Sequence, residues 1–255
     1  MNILVANDDG INGEGLKQLV KELSKIANIY VVAPESQRSS TSHHVTIFDK
    51  IRYEKRKVAG AKKAFALWAT PADCVRVALN ILIDEKIDLV ISGINQGRNT
   101  STDIIYSGTI AAAREAFFFN IPAMAVSLDS YSDKDFSLAA EYAKKIALEY
   151  IKIKENKEFF INVNIPNVKK ENIKGIMICD SNIDIDYNDE YSLKRIKDKD
   201  YVVITLNDEM IVNDDSKSLK ADYNALKKGY VTISALHNEH ISAKYSKVIK
   251  KHFKS

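Results

Sequence analysis

Apolar residues along this chain fall into short unbroken runs, separated by stretches where they recur every three or four positions. Ile3 to Ala6 is the first run, as expected of a strand buried in a parallel sheet. Leu16, Leu19, Val20, Leu23 and Ile26 then follow at helical spacing. Ile29 to Ala33 is a second core strand, ended by Pro34. Residues 72 to 85 read as a helix with Val75, Leu79, Leu82 and Ile83 on one side. Leu89 to Ile91 is a third strand, and the alanine-rich stretch after Gly108 is a helix running to about Phe118. Ala123 to Val126 is a fourth strand, followed by a long helix marked by Phe136, Ala140, Ala143, Ala147 and Tyr150. Strand and helix alternate, which predicts an α/β fold with a parallel sheet.

The pattern changes after about residue 155. Phe160 to Ile165, Ile176 to Ile178, Val202 to Leu206 and Tyr230 to Ser234 read as strands without regular helices between them. Residues 180 to 200 mix Asp, Tyr, Lys and Arg with little periodicity, which predicts a hairpin-rich region. The tail from about Glu239 reads as a lysine-rich helix, either a solvated face or a surface docked on a partner subunit. The organisation expected is an α/β core over 1–165 and an extension of hairpins and helix over 166–255, packed on the core.

Composition narrows the classes. The 255 residues are 45% hydrophobic and 28% charged, which excludes a disordered chain. Lys+Arg of 37 against Asp+Glu of 34 leaves +3, too balanced to argue for nucleic acid or a membrane surface. The first apolar run meets Asp8-Asp9 too soon for a secretory signal, and no run is long enough to span a bilayer. Cys74 and Cys179 are isolated, with neither disulfide nor zinc spacing, so a reducing cytoplasm is the expected setting. Six of the nine glycines, Gly10, Gly13, Gly15, Gly93, Gly97 and Gly108, fall in two short stretches. Those stretches also hold most of the candidate chemistry.

Three polar clusters each follow a predicted core strand: Asn7 to Gly10, Pro34 to Thr41, and Ser92 to Asn99. In a parallel sheet the carboxyl ends of the strands share one edge, and open α/β sheets bind ligands there. Asp8 and Asp9 are adjacent acids, which repel unless a cation or a shared proton separates them. The plainer reading is one solvated acid and one helix cap. With Ser39 and Asn95 on the same edge, the four supply hard oxygen ligands suited to magnesium, manganese or calcium rather than zinc. Ser107-Gly108-Thr109 stands before a helix, where free amides and the dipole attract an anion; an ordinary N-cap is the alternative. Arg98 would add positive charge nearby. Metal and anion site together are the equipment of phosphoryl transfer.

Other features leave two readings open. His43 and His44 would point to opposite faces if Val45 to Ile47 were a strand. His43 could then give a proton to a leaving alkoxide, or be structural. Trp68 to Asp73 reads as a turn into a helix begun by Thr70 or Asp73 after a proline. The loop Gly10 to Gly15 lacks the third glycine of a dinucleotide fingerprint, and no Gly-Lys-Ser/Thr follows for a P-loop. Asp8-Asp9-Gly10-Ile11 does not fit the Asp-x-Asp-x-Thr of a haloacid-dehalogenase-type phosphatase. A nucleotide- or dinucleotide-binding module without hydrolysis stays the runner-up, with Glu35 as its ribose-binding acid. A scaffold acting through the basic tail is a third reading.

Several segments in register resemble the SurE family, the stationary-phase survival proteins that are metal-dependent nucleotidases. They are Ile3 to Ile11, Val31 to Pro34, Arg38-Ser39, Thr70 to Val75, Ser92 to Asn99, Asp103 to Ile110, Ile121 to Ala123 and Gly229 to Ile233. The resemblance implies a Rossmann-like core and hydrolysis of nucleoside 5′- or 3′-monophosphates, with short polyphosphate as a further substrate. It implies one divalent metal on Asp8, Asp9, Ser39 and Asn95, and phosphate contacts at Asn7, Ser107, Gly108 and Thr109. It also implies a homodimer or tetramer formed by exchange of C-terminal elements. This chain departs from the family pattern at Ser42, Ala69, Ser101 and Ala116, where glycine is common, and at Arg98, where proline is frequent.

Overall fold

The computed structural model describes residues 1–133, 135–180, 185–186, 190–197, 199–205, 211–212 and 220–238. The main sheet runs in the order β3 (Tyr53–Arg56), β4 (Ala61–Leu67), β2 (Asn28–Pro34), β1 (Asn2–Ala6), β5 (Leu89–Gln96), β6 (Ala123–Asp129), β7 (Phe160–Pro166), β13 (Val231–Leu236), β8 (Ile176–Ile178). The six strands from β4 to β7 are mutually parallel. Their order is that of a doubly wound Rossmann sheet, so the predicted α/β class and Rossmann-like core are observed. β3 and β13 join antiparallel at the two sides.

Helices cover both faces. α1 (Glu14–Leu23) and α5 (Ser137–Tyr150) bury Leu16, Leu19, Ala143 and Ala147 against Ile3, Val5, Ile91 and Val126. α2 (Pro71–Val77) and α4 (Gly108–Phe118) bury Val75 and Ile110 against Leu4, Val32 and Val90. Alternate residues of each strand thus feed opposite cores, so the strands read as unbroken apolar runs. α2 starts where expected: Thr70 and Asp73 form a capping box, with Pro71 at the first helical position. It continues as one π-helical turn over Ala78–Leu82.

Some elements differ from expectation. β4 was hidden because Lys62 and Lys63 interrupt its apolar run; it forms because β2 and β3 hydrogen-bond it from both sides. Val45 to Ile47 is not a strand but part of a loop. That loop is held by side chains: Thr46 donates to Asp73 from its N at 2.9 Å and its Oγ1 at 2.7 Å. The extension contains a two-residue antiparallel pair, β9 (Ile185–Asp186) with β12 (Ile211–Val212), and the expected hairpin, β10 (Glu190–Ile196) with β11 (Lys199–Thr205). It also contains a helix not foreseen, α6 (Asp222–Lys227). β8 and β13 add to the main sheet across the boundary drawn at residue 165. The predicted tail helix lies outside the described residues.

Candidate metal and phosphate site

The chain leaves β1, winds outward through β2 and β4, and returns to β5 on the other side of β1. The carboxyl ends of β1 and β5 therefore flank the point where strand order reverses, the place at which such sheets bind ligands. Hydrogen bonds draw the three polar clusters together there. Asp9 Oδ2 accepts from Gln96 N at 3.2 Å, joining the end of β1 to the end of β5. Arg38 N donates to the Asp8 carbonyl at 2.7 Å, bringing Ser39 beside the acids. Thr109 Oγ1 donates to Asp8 Oδ1 at 2.5 Å, bringing in the start of α4.

The acid pair is costly as it stands. Burial first, and then the Asp9 charge, raise the Asp8 pKa to about 7, against the lowering effect of the Thr109 hydroxyl. Burial also raises Asp9, opposed by the Gln96 amide. A divalent cation would remove both penalties, since it favours the charged forms. The other donors fit a hard ion. Asn95 Nδ2 donates to the Gly97 carbonyl at 2.8 Å, which leaves its Oδ1 as an oxygen ligand. Ser39 Oγ accepts from Gln37 Nε2 at 2.9 Å and is exposed. Among the described residues no three His, Cys, Asp or Glu side chains cluster in a metal-binding group.

The start of α4 is capped by Ser107, and its first amides and hydroxyls are the groups that favour an anion at a helix start. Ser107 Oγ accepts from Ile110 N at 3.1 Å, the expected N-cap, and its own proton stays available as a donor. Gly108 lies against the acids: a Cβ there would sit 3.0 Å from Asp8 Cβ and 3.2 Å from Thr41 Oγ1. A larger residue there would push against the Asp8 side chain, so glycine lets the helix start close to the carboxylates.

Other predicted residues are engaged differently. Asn7 is buried and braces its turn, with Nδ2 donating to Gly10 O at 2.9 Å and Oδ1 accepting from Gly10 N at 3.2 Å; one Nδ2 hydrogen is left for a phosphate. His43 Nε2 lies 2.8 Å from Glu115 Oε2 and its ring stacks on Phe118, fastening the loop to α4. Arg98 is buried and pairs with Asp129 at 3.2 Å, so its charge is matched there and not offered to the anion site. Sequence reasoning missed Glu115, the closeness of Thr41 to Gly108, and the hold of Asp73 on Thr46. A buried glutamate in an alanine-rich apolar stretch was a signal for Glu115; nothing in the sequence marks Thr41.

The family model described as Survival protein SurE matches residues 3–185. A Clostridium botulinum (strain Alaska E43 / Type E3) protein named 5′-nucleotidase SurE is 39% identical over 257 residues, covering 99% of this chain and 100% of its own length. A protein of the same name from Syntrophomonas wolfei is 44% identical over 179 residues, covering 70% of this chain and 68% of its own. The crystal structure of SurE protein from Aquifex aeolicus matches with a TM-score of 0.84 at 29% identity, over 99% of each chain. The sheet order, the acid pair at the end of β1 and a match running through every candidate loop agree: this chain belongs to the SurE family.

Proposed function

We propose that this protein is a divalent-metal-dependent phosphomonoesterase that hydrolyses nucleoside 5′- and 3′-monophosphates to nucleoside and phosphate. The observation that carries the reading is the link between the two half-sites: Thr109, on the anion-binding helix start, donates to Asp8, the buried acid of the metal set. The names of the relatives, 5′-nucleotidase SurE, point the same way. Magnesium or manganese suits Asp8, Asp9, Ser39 and Asn95, and calcium could occupy the same oxygens. Short polyphosphate is a further substrate of the same chemistry.

A divalent cation held there supplies charge neutralisation to the phosphate oxygens and lowers the pKa of a water. The chain's own residues do the rest. The first amides of α4, with the Ser107 and Thr109 hydroxyls, hold the equatorial oxygens where charge develops. Asp8 or Asp9 orients the nucleophile. His43, held at Nε2 by Glu115, would protonate the leaving alkoxide from Nδ1. The enzyme works as a homodimer or tetramer in the cytoplasm, where its two buried cysteines stay reduced.

The test is hydrolysis of AMP and p-nitrophenyl phosphate by wild type and Asp8→Asn with magnesium or manganese. Near-wild-type turnover by the variant, or turnover unaffected by chelator, would sink the mechanism. A metal-independent thermal shift with NAD and no phosphate release would instead identify a nucleotide-binding module.

A further inference from the structure

The loop from Gly97 to Thr102 joins the end of β5, which carries Asn95, to the one-turn helix α3 (Asp103–Tyr106) that runs into Ser107. Arg98, Asn99, Thr100 and Ser101 are all buried, and a buried loop must find partners for its backbone. On one side it rests on a polar floor. Asn99 N donates to Asn164 Oδ1 at 2.8 Å, and Asn162 and Asn164 donate to the Asn99 carbonyl at 2.8 and 3.0 Å. On the other side its support is α6. Asp222 is fully buried at the first position of that helix. Its Oδ2 accepts from Ser101 N at 3.2 Å, while Oδ1 accepts from Ser101 Oγ at 3.3 Å and Tyr223 N at 2.8 Å. The Arg98 guanidinium lies 5.2 Å from the Tyr223 ring.

Ser101 needs this support. Its φ is +52°, a region that a residue with a side chain occupies only when the surroundings hold it. We propose that Asp222 is a positioning residue for the hydrolytic site, holding Ser101 and so fixing the loop that spaces Asn95 from Ser107–Thr109. The proposal rests on the phosphomonoesterase reading. It gives α6 a direct part in the site although no residue of α6 belongs to the metal or phosphate set. The Ser101 hydroxyl and the Asp222 carboxylate stabilise a conformation that glycine would adopt unaided.

The experiment uses the full-length protein with Asp222→Ala, Asp222→Asn and the double variant Ser101→Gly/Asp222→Ala. Amide hydrogen exchange is read at residues 97–106 and in β1, and kcat/KM on AMP is measured with manganese. Expected are folded variants whose exchange quickens at 97–106 but not in β1, with kcat/KM down about tenfold or more. Adding Ser101→Gly should restore a substantial part of the loss, since glycine holds the backbone without the carboxylate. A general loss of stability would not be repaired by that substitution. Unchanged exchange at 97–106, kcat/KM within about twofold of wild type, or no rescue would each overturn the proposal. If Asp222→Ala does not fold, Asp222→Asn is judged by the same criteria; failure of both to fold would make Asp222 a folding residue and overturn it too. If wild type releases no phosphate from any nucleotide, the functional reading fails, and the exchange data still judge the loop.

Discussion

Asp8 is a carboxyl on which burial and a neighbouring acid act in the same direction, and its behaviour with pH follows from that. Its pKa in the folded protein is about 7, above the ordinary 3.8. Between about 4 and about 7 the folded form therefore binds more protons than the unfolded chain, so stability without metal falls as pH rises through that window and levels above it. Metal must displace that proton, so affinity rises with pH up to about 7. Thermal melts with chelator or with manganese at about pH 5.5 and about pH 8 should show the larger metal-induced shift at the higher pH. Equal shifts at both would contradict the assignment. Asp8→Asn should lower kcat on AMP by at least about 10²-fold, yet melt higher than wild type in chelator at about pH 8, because it removes a buried charge. The acid pair was legible in the sequence, since two carboxylates directly after an apolar run are conspicuous. The Thr109 contact to Asp8 was not, because it spans 101 positions that only the fold closes.

At the scale of elements, the site depends on how closely helices approach strand ends. A Cβ on Gly15 would lie 2.1 Å from the carbonyl oxygen of Ile94, so α1 crosses β5 in backbone contact. Gly15→Ala should therefore destabilise by about 1–3 kcal/mol or more, as overpacking does, and displace the β5 end that carries Asn95. Urea unfolding with a manganese titration checks both effects, and wild-type stability in the variant would refute the contact. Thr70→Ala removes one half of the capping box, leaving Asp73 to hold Thr46 alone. A loss of about 1 kcal/mol is expected, roughly 2–4 °C in melting temperature for a chain of this size. Long helices and core strands were legible from periodicity. β4 was not, because its two lysines hide a strand that neighbours on both sides make favourable. Whether Val45 to Ile47 formed a strand was left open by the sequence: β-branched residues favour one, but side-chain bonds involving Thr70, Asp73 and Glu115 hold residues 43–47 in a loop.

For the whole molecule, the hairpin of β10 and β11 pairs with no other strand among the described residues, and Tyr191, Leu193, Val202 and Ile204 are exposed on it. Apolar residues gathered on an exposed hairpin mark a contact surface. A second copy is the expected occupant, in keeping with the dimer or tetramer proposed above. Light scattering on the intact protein should give two or four times the chain mass, and Leu193→Asp with Val202→Asp should lower it. A monomeric wild type would remove the oligomer from the reading. No helix among the described residues is long and apolar enough to cross a membrane.

By itself the sequence determined the α/β class and the polar clusters, Asp8 and Asp9 among them, that end its core strands, because burial periodicity and the polar residues ending each strand are local properties. Which atoms meet was decided by the tertiary structure. Parallel strands bring Asp9 to Gln96 and α4 brings Thr109 to Asp8, while Arg98 turns to Asp129 and His43 to Glu115. Those pairings join residues tens of positions apart, and they arise from competition among buried polar groups for partners. That competition has an outcome only once the sheet is assembled.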